Sequence, residues 1–213
     1  MTPVAGSITF AILAGGAAVR MGGRDKGLEP FHGRPLIAWV IDAAASMAMD
    51  GTQGSEVAGS ASCKCPLLIS ANRSLDDYAR YGRVVTDRQP GFSGPLAGIA
   101  AALAACTTEW LITLPVDCPD PPRDLLIRLI ESVRAQAVNA VVAHDGERRQ
   151  PLFAVYARLL ASSASQAVGE GRGVWHWQTG IGAHELDFAD RRRQFRNLNT
   201  PEDFDRDADS DNA

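Results

Sequence analysis

Short apolar runs alternate along this chain with longer segments in which apolar residues recur every three or four positions. The first run, residues 8–14, is nearly continuous, which is typical of a parallel strand buried on both faces. The same kind of run predicts further strands at residues 67–70, 84–86, 110–114, 140–143 and 152–156.

Segments with helical spacing separate these strands. An apolar helix is predicted to begin at Pro35, because proline is tolerated at a first helical position. Residues 125–133 place aliphatic side chains on one helical face. Further helices are predicted from Pro95 to about Cys106, near residues 158–168 and at residues 174–178. This alternation predicts an α/β fold of three layers around a mostly parallel, Rossmann-like sheet.

Polar or glycine-rich residues follow several of the predicted strands. They lie at residues 14–16, residues 70–72, Asp87 and Asp117. In sheets of this kind, ligands bind outside the carboxyl ends of the strands. We therefore expect the functional site at that edge of the sheet.

The loop after the first strand, residues 13–26, reads LAGGAAVRMGGRDK and combines four glycines with Arg20 and Lys26. Glycines let the backbone approach a ligand closely and turn its amides inward, which suits phosphate. The loop lacks both the Gly-Lys-Ser/Thr of a Walker A motif and the GxGxxG of a dinucleotide fingerprint. The loop therefore predicts a binding site for the triphosphate of a nucleotide. The alternative is a glycine-rich turn with solvated charges.

Asp117 follows a hydrophobic strand and a proline, so its carboxylate is expected at the ligand-facing rim of the sheet. Magnesium bound to a nucleotide commonly takes one or two protein carboxylates together with phosphate oxygens. Asp117 is therefore the candidate metal ligand. The alternative is a turn or helix N-cap aspartate, since prolines surround it. Asp87 is a second candidate for the metal or the nucleotide, with a turn-forming role as its alternative.

Length and charge narrow the class of protein. The 213 residues fit one domain, predicted at residues 1–205 with a flexible insertion at about 50–65 and a disordered acidic tail at 206–213. The net charge of -4 gives no basic excess, so we expect no nucleic-acid partner. We also expect no membrane association, because no run is long enough to span a bilayer and the start does not read as a signal peptide.

The cysteines indicate the compartment. They are too few and too unevenly spaced for a disulfide framework, which favours a reducing cytosol and a cytoplasmic protein. We interpret the CxC pair among them as thiols in a loop, because no nearby ligand completes a metal site. The four residues are Cys63, Cys65, Cys106 and Cys118.

The order of these motifs closely resembles the molybdenum cofactor guanylyltransferase family. The resemblance covers nearly the whole chain apart from the insertion and the acidic tail. It is carried by LAGG, RMGG and DK in the first loop, and then by GRPL at 33–36, ANR at 71–73, GPLAG at 94–98, PVD at 115–117, HDGER at 144–148 and NLNTP at 197–201. It implies a nucleotidyltransferase-type fold and an Mg²⁺-dependent transfer of GMP from GTP to the terminal phosphate of molybdenum-molybdopterin, releasing pyrophosphate. It also implies transient contacts with other cofactor-biosynthesis proteins and with molybdoenzyme apoproteins.

The resemblance also implies roles for single residues. Asp117 would hold magnesium, and Arg20, Lys26 and Asp117 would be catalytic. The nucleotide would contact Leu13, Ala14, Gly15, Lys26, Ser70, Asp87 and Asp117. The molybdopterin side would involve Gly22, Gly98, Arg172, Asn197 and Asn199. The chain departs from the family pattern at Ser70, where asparagine is usual, and at Gln150, where histidine is expected.

Each of these assignments has a structural alternative. Gly22 and Gly98 would then serve backbone geometry, and Arg172 would be a solvated loop charge. Asn197 and Asn199, which flank Leu198 on one predicted strand face, would instead be turn formers. We interpret Trp175 and Trp177 as packing residues rather than stacking platforms.

Three other functions compete with guanylyl transfer. A cytidylyltransferase acting on the same cofactor would carry LAAG in place of LAGG. A sugar-phosphate nucleotidyltransferase of the same fold would not be expected to match the HDGER and NLNTP segments. A non-catalytic nucleotide-binding accessory protein would be expected to lack Lys26 or Asp117, and both are present.

Overall fold

The computed structural model describes residues 7–15, 25–50, 65–87, 94–198 and Asp203. The strands are β1 (Ile8–Leu13), β2 (Pro30–Phe31), β3 (Arg34–Pro35), β4 (Leu67–Ser70), β5 (Arg83–Val85), β6 (Trp110–Pro115), β7 (Ala140–His144), β8 (Arg149–Ala157) and β9 (His184–Asp187). The α-helices are α1 (Leu36–Asp50), α2 (Leu75–Tyr78), α3 (Pro95–Ala105), α4 (Leu125–Gln136), α5 (Ala161–Gly169) and α6 (Val174–Gly180). Short 3₁₀ helices occupy Lys26–Leu28, Arg158–Leu160 and Ala189–Phe195.

Among the described residues, seven strands form one sheet in the order β5-β4-β1-β6-β8-β7-β9. β1 pairs in parallel with both β4 and β6, and β5 continues the parallel run beside β4. β8 is antiparallel to both of its neighbours, whereas β9 pairs in parallel with β7. The prediction of an α/β fold around a mostly parallel sheet is therefore confirmed.

Two hydrophobic cores cover opposite faces of this sheet because successive strand residues point to opposite sides. Phe10 and Ile12 of β1 pack in the core that contains the buried faces of α1 and α4. Ala11, between them in sequence, packs in the core that contains α3, α5 and α6. The result is the predicted three-layer arrangement. Within the described residues, no helix has both the length and the apolar character to cross a membrane.

The structure departs from the predicted elements at several points. Pro35 ends the β2–β3 hairpin, and the first helix starts at Leu36. Residues 196–198 belong to no strand or helix, so the prediction that Asn197 lies on a strand face is wrong. The predicted 50–65 insertion and acidic tail lie largely or wholly outside the described residues.

Candidate active site

Backbone hydrogen bonds extend the sheet one residue past three neighbouring strands. The N–H of Ala14 donates to the carbonyl of Ser70 at 2.8 Å, and the N–H of Val116 donates to the carbonyl of Leu13 at 3.1 Å. The N–H of Ala71 donates to Val85 at 3.1 Å. The ends of β1, β4, β5 and β6 therefore meet at one edge, as expected of parallel strands.

Lys26 and Asp117 form an ion pair at this edge. Lys26 begins the 3₁₀ turn Lys26–Leu28, and Asp117 lies in the turn after β6. The Lys26 Nζ donates to Asp117 Oδ2 at 3.0 Å, and each side chain is about one-fifth exposed. Helix α4 begins at Leu125 with Asp124 as its N-cap, so Asp117 does not cap that helix. The pair places a cation and a carboxylate, both open to solvent, outside the strand ends.

Asp25, the residue before this lysine, is held in place by two side chains, a role that the sequence did not indicate. Its carboxylate accepts a short hydrogen bond from the Tyr78 hydroxyl of α2. Arg73 Nε lies 3.7 Å from the second Asp25 oxygen, and the Asp25 side chain is 8% exposed. Burial, followed by the bond to Asp25, raises the pKa of Tyr78 well above its ordinary value. Tyr78 therefore remains a neutral donor that fixes Asp25 beside Lys26.

Gly27 packs directly beneath the Tyr78 hydroxyl. A Cβ at this position would clash with the Tyr78 hydroxyl oxygen and would lie 2.8 Å from a Val116 methyl. Tyr78 is fully buried. Both neighbours therefore have little room to retreat.

Gly27→Ala is expected to destabilise the protein by about 1–3 kcal/mol, the usual cost of overpacking, and to lower activity by displacing Lys26. Thermal unfolding and transfer rates measure the two effects. Gly180→Ala is the matched control, because the added Cβ would lie 4.0 Å from its nearest neighbour, Arg172 Nη1. Equal melting temperatures for the two variants would contradict this account of Gly27.

Asn72 holds Asp87 through two hydrogen bonds. The Asn72 amide donates to Asp87 Oδ2 at 2.8 Å, and the Asp87 N–H donates to Asn72 Oδ1 at 2.9 Å. Burial raises the pKa of the Asp87 carboxyl, although the bond from Asn72 acts in the opposite direction. The second carboxylate oxygen, Oδ1, is buried without a hydrogen-bond partner in the described part of the chain. Asp87 is thus held at this edge of the sheet in an environment that disfavours the charged form of its carboxyl group.

Asp87→Asn is expected to maintain or raise the melting temperature at pH 7. A carboxyl whose folded-state pKa lies above its unfolded value makes the protein less stable as the pH rises through that window. The advantage of the variant should therefore disappear as the pH falls below the ordinary carboxyl pKa of about 3.8. Thermal unfolding of the variant and the wild type, at pH 7 and below the ordinary carboxyl pKa, measures this difference in stability. A melting temperature several degrees below wild type at pH 7 would refute it.

Gly98 of α3 lets that helix approach β4. A Cβ here would lie 2.5 Å from the hydroxyl oxygen of Ser70, which is itself buried. Ser70 and Gly98 therefore form one packed contact behind the edge. This contact supports the structural alternative for Gly98 and brings it next to a predicted nucleotide contact.

The segment after the last 3₁₀ helix returns to the site. The N–H of Leu198 donates to the backbone carbonyl of Asp117 at 2.8 Å, and its side chain packs with Phe31 and Leu36. Asn197 therefore lies one residue from a direct contact with the Asp117 segment. The sequence, by contrast, had offered no reason to pair residues so distant along the chain.

Cys118 follows Asp117 but is not a nucleophile candidate. Its thiol is buried and donates to the Gln194 carbonyl at 3.2 Å. Burial, together with the nearby carboxylates of Asp117 and Asp120, raises the pKa of this thiol far above its ordinary range. It therefore stays protonated at neutral pH.

Arg172 lies in the turn between α5 and α6. It is exposed and pairs with Glu170 at 2.7 Å. A groove of about 140 Å³ beside it is lined by α5 and α6 residues that include Ser163, Gln166 and Trp177. The predicted site residues Arg20, Gly22 and Asn199 lie outside the described residues.

The HDGER segment forms the turn between β7 and β8. Asp145 accepts hydrogen bonds from the N–H groups of Glu147 and Arg148, at 2.9 and 2.8 Å. Gln150 donates to the other Asp145 oxygen at 2.5 Å. Burial alone would raise the pKa of Asp145, but these hydrogen bonds lower it below its ordinary value. Gln150, which stands where the family pattern has histidine, thus forms a structural hydrogen bond with Asp145.

The described residues contain no group of three or more His, Cys, Asp or Glu side chains that could hold a metal ion. A nucleotide-bound magnesium ion needs fewer protein ligands, since phosphate oxygens and water complete its shell. The part-exposed Asp117 carboxylate at the strand ends fits that requirement as a single ligand.

Comparison with known proteins identifies the family of this chain. Residues 10–184 match the model of a family described as the MobA-like NTP transferase domain. A molybdenum cofactor guanylyltransferase from Vibrio vulnificus is 36% identical over 197 residues, covering 92% of each chain. One from Mannheimia succiniciproducens is 36% identical over 201 residues, covering 93% of this chain and 97% of its own.

A solved structure shows the same fold. Molybdopterin-guanine dinucleotide biosynthesis protein A from Archaeoglobus fulgidus superposes with a TM-score of 0.73 at 20% identity, covering 96% of this chain and 98% of its own.

Proposed function

This chain belongs to the MobA-like NTP transferase family, and from that membership we propose that it transfers GMP from GTP to the terminal phosphate of molybdenum-molybdopterin. Relatives named molybdenum cofactor guanylyltransferase, which match at least 92% of each chain, support this nucleotide and this acceptor. The observation that carries the mechanism is the Lys26–Asp117 pair at 3.0 Å, outside the strand ends.

The reaction is an in-line displacement at the α-phosphorus of GTP. An oxygen of the acceptor phosphate forms the new P–O bond, while the bond from the α-phosphorus to the bridging oxygen breaks and its electron pair leaves with pyrophosphate. The attacking phosphate is already anionic at neutral pH, so no residue needs to remove a proton. Positioning and charge neutralisation therefore account for most of the catalysis.

Lys26 neutralises charge on the α-phosphate and on the leaving pyrophosphate, with Arg20 of the first loop in the same role. Asp117 would hold Mg²⁺, which when bound supplies Lewis-acid neutralisation of the nucleotide phosphates. The Asp25–Tyr78 contact keeps Lys26 in place.

The remaining predicted contacts divide between the two substrates. The nucleotide side takes Leu13, Ala14, Gly15, Ser70 and Asp87. The acceptor side takes Gly22, Gly98, Arg172, Asn197 and Asn199. The proposed setting is the cytoplasm, with transient contacts to proteins that supply or receive the cofactor.

The test is to mix the protein with Mg²⁺, GTP and molybdenum-molybdopterin and to identify the nucleotide product by mass. A guanine dinucleotide product with equimolar pyrophosphate is expected. Absence of pyrophosphate would instead indicate a non-catalytic nucleotide-binding protein. In competition between equal GTP and CTP, a cytosine product would indicate the cytidylyltransferase alternative.

A further inference from the structure

Trp175 of α6 is a large aromatic side chain at the surface. It is 49% exposed, whereas its neighbour Trp177 is buried against the Tyr156 ring and donates to Ser163. The interpretation as a packing residue is confirmed for Trp177, whereas Trp175 packs one face against Arg149 and remains half exposed. Tryptophan is enriched at binding interfaces because it combines a large apolar ring system with a polar N–H.

A buried arginine supports the indole from behind. The Arg149 guanidinium carbon lies 4.4 Å from the centroid of the Trp175 ring, and the Arg149 side chain is only 6% exposed. Its Nε donates to Glu185 at 3.1 Å, and its Nη1 donates to the Thr179 hydroxyl at 3.2 Å. These contacts fix the guanidinium, and the guanidinium in turn fixes one face of the ring, a cation–π arrangement.

The topology places this pair on the same edge of the sheet as Asp117. β8 runs antiparallel to β6, so Arg149, the first residue of β8, lies at the edge where β6 ends. Between the Val142–Ala154 and Ala143–Gln150 pairs, β8 carries an irregularity that redirects its first residues. Such bulges commonly re-aim a side chain next to an active site.

The predicted nucleotide contacts lie on the opposite side of β6. Leu13 and Ser70 end β1 and β4, and Asp87 follows β5, whereas Arg149 begins β8. A phosphoryl group held at the Lys26–Asp117 pair would lie between these two halves. The half that contains Trp175 carries none of the predicted nucleotide contacts and is therefore available to the acceptor. Gly98, a predicted acceptor contact, packs against Ser70 in the other half.

We propose that Trp175, supported by Arg149, is a stacking platform for the flat pterin ring of the acceptor substrate. This proposal rests on the proposed function. Stacking of a planar heterocycle on an aromatic side chain changes affinity by about tenfold to a hundredfold on alanine substitution. The supported ring loses little freedom on binding, which favours affinity.

The experiment measures KM for molybdenum-molybdopterin and for GTP, and equilibrium binding of molybdenum-molybdopterin without GTP. Trp175→Ala is expected to raise the acceptor KM and dissociation constant by about tenfold or more, with Trp175→Phe closer to wild type and the KM for GTP unchanged. Leu159→Ala is the matched control, because it removes a 70% exposed apolar side chain elsewhere.

The outcomes separate this proposal from the proposed function. An acceptor KM and dissociation constant within twofold of wild type, or a rise in the KM for GTP instead, would overturn the platform. A merely structural role would lower the melting temperature of Trp175→Ala while leaving acceptor binding intact. If wild-type protein binds the acceptor in a Trp175-dependent manner but forms no product from GTP, the proposed function fails and the platform stands.

Discussion

Lys26→Met is expected to lower the rate of GTP-dependent product formation by about 10²–10³-fold, the usual effect of removing one group that stabilises developing charge. Methionine retains the unbranched, flexible stem and removes only the ammonium. The loss should appear mainly in kcat, since the charge that Lys26 opposes grows towards the transition state. Single-turnover measurements with saturating GTP and acceptor would establish this.

Two control variants show whether the loss of rate is specific to the charge of Lys26. Arg80→Met removes a cation that is 76% exposed and paired with Asp77, and it should leave the rate unchanged. Lys26→Arg retains the charge with a different shape, so it should recover part of the rate. A Lys26→Met enzyme within threefold of wild type would exclude Lys26 from the transition state.

Much of the edge around Lys26 could be predicted from the sequence because buried parallel strands leave a clear signal. The apolar runs predicted β1, β4 and β6 within a residue or two, and the glycine, asparagine and aspartate that follow these runs marked the ligand side. β9 carried no such signal, since its residues alternate between half-buried and exposed at the sheet margin. The direction of β8 was also hidden, because an apolar run has the same composition in either orientation.

The contacts that position the site were not predictable for a different reason. Asp25 meets Tyr78 across 53 residues of sequence, and Leu198 meets the Asp117 carbonyl across a longer separation. In each of these two contacts, neither residue belongs to a periodic apolar pattern in the sequence. Arg149 was likewise hidden, since only the folded β7–β8 irregularity brings it beneath Trp175.

Asp117→Asn is expected to reduce the rate at saturating GTP by about 10²–10³-fold and to shift the Mg²⁺ dependence to higher concentrations. Asparagine retains the shape of the side chain and an oxygen that can accept from Lys26, but it removes the negative charge that favours a divalent cation. Loss of Lewis-acid stabilisation amounts to several kcal/mol, which corresponds to about that change in rate. The measurement is the initial rate as a function of Mg²⁺, with chelation by EDTA abolishing wild-type activity.

The double variant tests whether the two residues act together. Because Lys26 Nζ and Asp117 Oδ2 lie 3.0 Å apart, the losses caused by Lys26→Met and Asp117→Asn should not add. The rate of the combined variant should therefore fall below that of wild type by much less than the product of the two single reductions. Full additivity, or an Asp117→Asn enzyme with an unchanged Mg²⁺ dependence, would mean that the pair does not form one catalytic unit.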